Sequence, residues 1–369
     1  MIRIRAPGRI CLFGEHQDYL GFPVISMAFS KYIYLEAEPI IDPKFIIELP
    51  DMEWHDEFLL NNKEIDYLSN RDYLRSGYNH FIRIGAKINK GYKVKITGDI
   101  PINAGCGSSS ALIIAWLFFL SQVSNHYLNL EDLAKLGYSA EVREFGEAGG
   151  MMDHYTSTLG KLIYLETYPE FIPIKFNIDI DHFILANSKE SKDTVEDLRK
   201  VKKRAIKTFK ILKEIMKEFD PNRTSLNEIE QFFPNLNKDL RNILIGNIIN
   251  RDITQKAKYL ITNYIQKSSK IIIEKNHNIE LEFYRALGNL LTEHHRQLVD
   301  NIGVSTPKID KMISIALENG AFGAKINGSG FGGCMFALAS ENKKEIMDNI
   351  AEVGGIGYTV KTSEGVELY

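Results

Sequence analysis

The longest apolar run in the chain, ALIIAWLFFL at residues 111–120, comes directly after the small-residue segment INAGCGSSS. The run is too short to span a bilayer, so it predicts a buried helix. Before the small residues, the alternating segment YKVKITGDI (residues 92–100) predicts a strand that ends at Pro101. The sequence therefore predicts a strand, a loop of small residues and a buried helix in direct succession.

The loop in this succession is a candidate phosphate site. Small side chains let backbone N–H groups approach an anion, and a helix that begins around residues 108–110 adds unpaired donors and the positive end of its dipole. The alternative is a helix capped by serine, with glycines that only form the turn. The candidate residues are Gly105, Cys106, Gly107, Ser108, Ser109 and Ser110.

This loop differs from two well-defined phosphate-binding patterns. No Lys-Ser or Lys-Thr pair follows its last glycine, as a P-loop requires. The protein-kinase signatures His-Arg-Asp and Asp-Phe-Gly do not occur in the chain. A nucleotide bound here would therefore be held differently from a nucleotide in either class.

A second small-residue loop, INGSGFGGCMF at residues 326–336, lies between two apolar strand-like segments. Its glycines would let the backbone press against the first loop or against a ligand bound there. The alternative is a glycine-rich hairpin. The residues concerned are Gly328, Ser329, Gly330, Phe331 and Gly332.

The segment after the apolar helix supplies candidate acids. Glu141 falls on a predicted helix, and Asp153 follows a Gly-Gly turn. Mg²⁺ takes oxygen ligands, usually one or two carboxylates together with phosphates and waters, and a second carboxylate can orient an attacking hydroxyl. Phosphoryl transfer needs these parts and little more, because positioning and charge neutralisation stabilise its loose transition state. Glu144 and Glu147 are predicted to be solvated acids on the helix surface.

Length and pattern divide the chain into two parts. A chain of 369 residues is long for one hydrophobic core, and its first half shows strand patterns with helices interposed. From residue 192 to about residue 300, helical patterns dominate. The sequence predicts an α+β protein with two lobes, residues 1–185 and residues 186–369.

Charge and cysteine content argue against several classes of function. A net charge of −3 gives no basic field, so neither nucleic acid nor an anionic membrane is expected as the main partner. The three cysteines are far apart and form no CxxC pair, which argues against disulfides and zinc and for a reducing cytoplasm. The N-terminal segment has no signal-peptide pattern. We expect a soluble cytoplasmic protein, and its oligomeric state is not predicted.

Four segments in order resemble the successive motifs of the GHMP small-molecule kinases. They are RAPGRICLFGEHQDYLG, PINAGCGSSSAL, AEVREFGEAGGMMDH and KINGSGFGGCMF, and VSTPKIDKM at residues 304–312 adds a galactokinase-like segment. The resemblance covers most of the chain and weakens between about residues 163 and 293. GEH followed by DY, and the MMD turn, are most similar to galactokinases, whereas GCGSSS is closer to the mevalonate-kinase form.

The resemblance implies a two-lobed fold, with an N-terminal lobe like the ribosomal S-five domain and a ferredoxin-like C-terminal lobe. ATP and Mg²⁺ would lie between the lobes, with the phosphates on residues 105–109. The polar turn at residues 14–20 would hold a sugar, because several hydroxyls can be satisfied there at once. By the match, Asp153 would be the catalytic aspartate, Arg9 the arginine that faces it, Ser109 and Glu141 the magnesium ligands, and Glu15, His16 and Asp18 the sugar ligands.

The match fails in part around the acceptor. After FILANS, galactokinases usually carry a histidine and a tyrosine–arginine cluster, whereas this chain reads KESKDTVEDLRKVKKRA. Gln17 stands where threonine is commoner, and Leu20 where a small polar residue is usual. The function predicted is an ATP-dependent sugar kinase that phosphorylates the anomeric hydroxyl of galactose or a related monosaccharide.

Two alternatives stay open. The first keeps the chemistry and changes the acceptor, to another sugar or to mevalonate, whose carboxylate Lys189 or Lys192 could meet. The second belongs to a different class: a sensor of the same fold that binds sugar and ATP without catalysis. The intact set of matched catalytic residues argues against the sensor.

Overall fold

The computed structural model describes residues 1–191, 194–270 and 277–369 and has an α+β architecture with two sheets. The strands are β1 (Ile2–Phe13), β2 (Val24–Ile40), β3 (Lys44–Leu49), β4 (Trp54–Leu59), β5 (Gly91–Gly98), β6 (Leu162–Glu166), β7 (Ile172–Phe176), β8 (Phe183–Asn187), β9 (Gly323–Ile326), β10 (Cys334–Leu338), β11 (Ile356–Val360) and β12 (Glu367–Leu368). The helices are α1 (Tyr73–Arg83), α2 (Ser108–Val123), α3 (Leu130–Tyr138), α4 (Met152–Leu159), α5 (Thr194–Ile215), α6 (Leu226–Glu230), α7 (Lys238–Lys270), α8 (His277–Gln297), α9 (Pro307–Glu318) and α10 (Lys343–Glu352).

The larger sheet has the strand order β12-β1-β2-β5-β3-β4. Its long strand β2 pairs with β5 through residues 33–40 and with β6 through residues 24–27, and β7 continues from β6. The pairing of β3 with β5 is parallel, and the other pairings in this sheet are antiparallel. The strand β1 contacts α2, α4, α7 and α8, which explains why it is buried at every position from Ala6 to Phe13.

The smaller sheet has the order β11-β8-β10-β9 and is antiparallel throughout. The chain then returns to the larger sheet, where β12 pairs with β1 and isolated bridges join Phe29 to Thr362 and Gly160 to Glu364. The predicted division between residues 185 and 186 falls inside β8, and it stays a prediction. Lys192 lies outside the described residues.

The helix α2 anchors the largest apolar core, as its sequence predicts. Its Trp116 and Phe119 are fully buried and pack against Phe45 of β3, with ring centroids 5.2 and 5.9 Å away. The Trp116 indole N–H donates to the Leu74 carbonyl oxygen at 2.8 Å, so the ring is satisfied as well as buried. Burial of α2 fixes the position of the loop before it, which ends at Gly107.

The helix α5 covers the polar turn that follows β1. Its Phe209 ring packs edge-on against Phe22, with centroids 5.7 Å apart. Its buried Val201 and Ala205 belong to the apolar cluster against which Leu20 packs. The helical segment therefore forms one wall beside residues 14–20. In the described part of the chain, no helix combines the length and the apolar character needed to cross a membrane.

Two glycines with positive φ allow a test of how closely the C-terminal segment packs against the larger sheet. Gly160 has φ 69° and ψ −174°, and a Cβ there would lie 1.9 Å from the Gly365 backbone nitrogen. We expect Gly160→Ala to lower the free energy of unfolding by roughly 3 kcal/mol or more, because the backbone is strained and Gly365 must move. Urea unfolding measures the loss.

Gly85 is the matched control. Its φ is 85°, but a Cβ there would meet nothing within 4 Å. We expect Gly85→Ala to cost only about 1 kcal/mol, from backbone strain alone. Equal losses for the two variants would contradict the tight approach of Gly160 to Gly365.

Candidate active site

An ion pair between Arg9 and Asp153 forms the centre of the candidate site. The Arg9 Nε and Nη2 atoms donate to the two Asp153 carboxylate oxygens at 2.7 and 2.6 Å, in the bidentate geometry that favours this pair. Arg9 Nη1 donates to the Gly105 carbonyl oxygen, and the Arg9 backbone N–H donates to Cys106 O at 2.9 Å. The strand β1, the residue 104–107 loop and the start of α4 therefore meet at one arginine.

Arg9 stays positively charged in this setting. Burial opposes its charged form, but the adjacent Asp153 carboxylate outweighs burial and raises the pKa of Arg9. The Arg9 side chain is 7% exposed and that of Asp153 is 23% exposed. Both line a cleft of about 520 Å³ that also contains the N-terminus of α2.

The two small-residue loops pack against each other, which is one of the contacts suggested for the second loop, and this loop also connects the antiparallel strands β9 and β10, as in the hairpin alternative. Asn327 Nδ2 donates to Gly105 O at 2.8 Å, and Asn327 Oδ1 accepts from the Cys11 backbone N–H at 2.9 Å. A Cβ on Gly328, which has φ 75°, would lie 2.6 Å from Gly105 O. The close approach therefore requires glycine at position 328, and Asn327, which sequence reasoning missed, joins the loops to β1.

The helix α2 begins at Ser108, as predicted, after Gly107 in the left-handed conformation. A Cβ on Gly107 would lie 3.1 Å from the Arg9 Cγ atom and 3.5 Å from Asp153 Oδ2. The unpaired N–H groups of the first helical turn thus lie beside Asp153 in the same cleft. An anion at this helix terminus would lie next to the Arg9–Asp153 pair.

Glu141 lies in a π-helical turn, Ser139–Arg143, and is buried. Its Oε2 atom accepts from Ser110 Oγ at 2.8 Å and contacts His154 Nε2 at 2.7 Å. Burial opposes ionisation, but the bonds from His154 and from the Ser109 and Ser110 hydroxyls outweigh it and lower the pKa of Glu141. An ionised carboxylate beside a hydroxyl is a donor set that suits Mg²⁺ when phosphates and waters supply the remaining ligands.

Asp18, in the polar turn, lines the same cleft. Its carboxylate accepts from the Tyr19 N–H at 2.9 Å and from the Met152 N–H at 3.3 Å. A Cβ on Gly150 would lie 1.9 Å from Asp18 Oδ2, so the loop before α4 can reach this carboxylate only with glycine there. Burial and, after it, the negative charge of Asp153 raise the pKa of Asp18 to about 6.

The other two predicted sugar ligands line the cleft but are bound within the protein. The buried Glu15 carboxylate pairs with the fully buried Lys325 ammonium and accepts from the Gly328 N–H at 3.4 Å. The ring of His16 contacts Tyr19 Oη through Nδ1 at 2.9 Å and Ser329 O through Nε2 at 3.1 Å. Because a carbonyl oxygen can only accept, His16 Nε2 carries the proton. Their role toward a sugar stays a prediction.

Glu144 and Glu147 are not the solvated acids predicted from the sequence. Glu144 accepts from Arg83 Nη1 at 2.8 Å, and its side chain is 19% exposed. Glu147 accepts from Arg71 Nε and Tyr73 Oη, each at 2.8 Å, and its side chain is 14% exposed. The helical pattern could not show this, because both cationic partners come from a segment more than sixty residues earlier.

A second cavity of about 380 Å³ lies beside the cleft and is mostly apolar. Its walls include Trp54, Ile96 and Leu112. Arg71 and the Ser108–Ser109 pair line both cavities, so the helix terminus separates an apolar space from a polar one. Arg71 has φ 66°, a strained conformation for a non-glycine residue, and no motif in the sequence marked it.

The sequence matches three family models. They are described as GHMP kinases N terminal domain (residues 72–161), GHMP kinases C terminal (residues 276–355) and galactokinase galactose-binding signature (residues 2–39). The first contains the α2 terminus, Glu141 and Asp153, and the third contains Arg9 and Asp18. The three models therefore cover most of the cleft lining, and Arg71 and Leu198 lie outside them.

Among curated proteins, a galactokinase of Pyrococcus furiosus is 30% identical over 362 residues, which cover 95% of this chain and 92% of the relative. A mevalonate kinase of the same organism is 29% identical over 373 residues, covering 98% and 97%. Among solved structures, Lactococcus lactis galactokinase complexed with galactose has a TM-score of 0.84 at 20% identity and covers 100% of this chain and 95% of that chain. Methanococcus jannaschii mevalonate kinase has a TM-score of 0.69 at 22% identity and covers 98% of each chain.

Asp18 provides a test of the electrostatics of the cleft. Its pKa of about 6 lies above the ordinary 3.8, so the folded state binds this proton more tightly than the unfolded state does. Stability is therefore lost as the pH rises through this window. We expect Asp18→Asn, which cannot ionise, to raise the free energy of unfolding by roughly 1–3 kcal/mol near pH 8 and by about zero near pH 4.

Urea unfolding at the two pH values measures this difference. Asp348, exposed on α10, is the control, and Asp348→Asn should change stability little at either pH. An Asp18→Asn protein that is less stable than the wild type near pH 8 would contradict the burial of an ionised Asp18.

Proposed function

The chain belongs to the GHMP kinase family, and we propose that it transfers the γ-phosphoryl group of ATP to the anomeric hydroxyl of galactose or a related monosaccharide. One observation carries the proposal: Asp153, paired with Arg9, lies in the same cleft as the N-terminus of α2. A phosphate at the helix terminus and a hydroxyl at Asp153 would be neighbours. Positioning of this kind is most of what phosphoryl transfer requires of a protein.

The two cavities suit the two ends of a nucleotide. The apolar cavity beside Trp54 would take the base, and the Ser108–Ser109 terminus between the cavities would take the phosphates. Arg71, which lines both, brings a cation to the boundary where the phosphates would lie. Ser109 and Glu141 would hold Mg²⁺, which would neutralise phosphate charge when bound.

Asp153 would accept or orient the proton of the acceptor hydroxyl. The hydroxyl oxygen forms a bond to the γ-phosphorus as the bond between that phosphorus and the β,γ-bridging oxygen breaks, and ADP leaves with the electron pair. Arg9 holds the Asp153 carboxylate through two hydrogen bonds and adds positive charge beside the transferring group. The carbonyl of Gly105 and the Asp153 carboxylate hold the guanidinium in place, so its position does not depend on substrate.

The charges of the cleft favour a neutral polyhydroxy acceptor. Asp18 and Asp153 both line it, and the repulsion between them contributes to the raised pKa of Asp18. In the described part of the chain, the arginines of the lining are Arg9 and Arg71, and each is paired with a carboxylate. A carboxylate on the acceptor would add a further negative charge beside Asp18 and Asp153, whereas a sugar hydroxyl could donate to Asp18.

The comparisons support galactose and leave mevalonate as the second candidate. The galactose-binding signature matches residues 2–39, which include the polar turn. The galactokinase complexed with galactose has a higher TM-score than the mevalonate kinase of Methanococcus jannaschii. The mevalonate kinase of Pyrococcus furiosus nevertheless matches 98% of the chain at 29% identity, so both acceptors are included in the test.

The test is a screen of the purified full chain with ATP and Mg²⁺ against free monosaccharides and mevalonate. Coupled release of ADP measures turnover, and ³¹P NMR shows whether the phosphate is attached to the anomeric carbon. We expect turnover with galactose or a related sugar. Turnover with mevalonate alone would show that mevalonate, and not a sugar, is the acceptor. Sugar binding without ADP release would indicate a non-catalytic sensor.

Asp153→Asn tests the catalytic role without changing the shape of the side chain. We expect kcat to fall by about 10²–10⁴-fold, because the amide cannot accept the hydroxyl proton and lacks the charge that Arg9 requires. Steady-state kinetics measure the loss, and a thermal-shift titration checks that ATP still binds. Wild-type kcat in this variant would contradict the role of Asp153.

Trp54→Ala tests the base cavity. We expect the KM for ATP to rise by about tenfold, since the base would lose contact with the aromatic wall, while the acceptor KM stays unchanged. Leu59 on the same strand is 66% exposed, so Leu59→Ala serves as the matched control. An unchanged KM for ATP in Trp54→Ala would place the base elsewhere.

A further inference from the structure

A lysine of α5 joins three segments at the acceptor end of the cleft. On the basis of the proposed function, we propose that Lys202 is a positioning residue for the acceptor, which holds α5, the polar turn and the residue 144–151 loop together around the acceptor site. Neither the motifs in the sequence nor the charge pattern of α5 singled out this lysine.

The inner face of α5 places Lys202 beside the cleft. Leu198 lines the cleft, and Lys202 lies four residues further along, so both are on one face of the helix. The buried Val201 and Ala205 on the adjoining stripe belong to the apolar cluster against which Leu20 packs. This packing fixes the position of the Lys202 backbone over the polar turn.

The ammonium group of Lys202 reaches across the cleft edge to two other segments. Its Nζ atom lies 5.1 Å from the centroid of the Tyr19 ring, a cation–π geometry. The same atom donates to the Ala148 carbonyl oxygen at 3.2 Å. Burial lowers the pKa of Lys202, and attraction to the Asp18 carboxylate opposes that effect, so the lysine also lies within electrostatic reach of Asp18.

The contact with Ala148 matters because this loop leads directly to Asp18 and Asp153. Two residues after Ala148, Gly150 packs directly on the Asp18 carboxylate. The Met152 N–H then donates to Asp18, and the next residue is Asp153. By holding the loop at Ala148, Lys202 sets the separation of Asp18 and Asp153, the two carboxylates between which the acceptor would bind.

Contacts that do not involve Lys202 hold the nucleotide end of the cleft in place. Arg9 and Asn327 hold the residue 104–107 loop through Gly105 O, and the burial of Trp116 holds α2. Loss of Lys202 should therefore weaken acceptor binding selectively. A residue with a merely structural role would lower stability, or both affinities, without this selectivity.

The experiment compares Lys202→Met, which keeps the length of the side chain and removes its charge and donors, with Lys202→Arg. Lys203→Met is the matched control, because Lys203 is the next residue of α5 and is exposed. Each full-length variant is assayed for kcat and for the KM of ATP and of the acceptor that the wild type turns over in the screen. Lys202→Gln is assayed in parallel and takes the place of Lys202→Met in the comparison if the Met variant does not fold.

We expect Lys202→Met to raise the acceptor KM by about tenfold, the scale of one charge-assisted hydrogen bond, with the KM for ATP within about twofold of the wild type. Lys202→Arg should restore most of the acceptor affinity, and Lys203→Met should match the wild type. An unchanged acceptor KM, an equal rise in both KM values, or the same effect from Lys203→Met would overturn the role of Lys202. A wild type that turns over no acceptor contradicts the proposed function itself, so the two failures are distinguishable.

Discussion

The pairing of Arg9 with Asp153 is the interaction on which the rest of the site depends. Both charges are largely removed from water, and burying two ions is costly unless the geometry is excellent and the remaining donors are satisfied. Here the carboxylate is bound bidentately and Gly105 O takes the third guanidinium N–H direction. Because removal of one partner leaves the other buried and unpaired, at a cost of about 3–5 kcal/mol, the pair holds β1, the small-residue loop and α4 in one arrangement.

Two carboxylates share the cleft in different electrostatic settings. Asp153 has a guanidinium partner, whereas Asp18 accepts from two backbone N–H groups and has a pKa raised to about 6. Such a contrast between neighbouring acids suits the two different roles proposed for them: Asp153 is held by its cation, and Asp18 can accept from a hydroxyl donor. The neutral acceptor proposed above rests in part on these two neighbouring carboxyl groups.

Local features of the sequence were predicted well, and contacts between distant segments were not. The start of α2 at Ser108 is specified by its neighbours alone, since small residues and an apolar run indicate a loop and a buried helix. The pairing of Arg9 with Asp153 spans 144 residues and was expected only through the resemblance. The contact of Glu15 with Lys325 spans 310 residues, and nothing local to GEHQDY shows that its glutamate will meet a buried ammonium. The burial of Glu147 could not be predicted from local sequence either, because it depends on the distant Arg71.

A double-mutant cycle, assayed with the acceptor that the wild type turns over, measures whether Arg9 and Asp153 act as one unit. The cycle combines Arg9→Met with Asp153→Asn and compares kcat in the wild type, the two single variants and the double variant. If the two side chains act as one unit, the double variant should be no slower than the slower single variant, so the coupling nearly equals the smaller of the two losses. Losses that multiply in the double variant would mean that the two residues act independently, which would contradict a catalytic site built on their pairing.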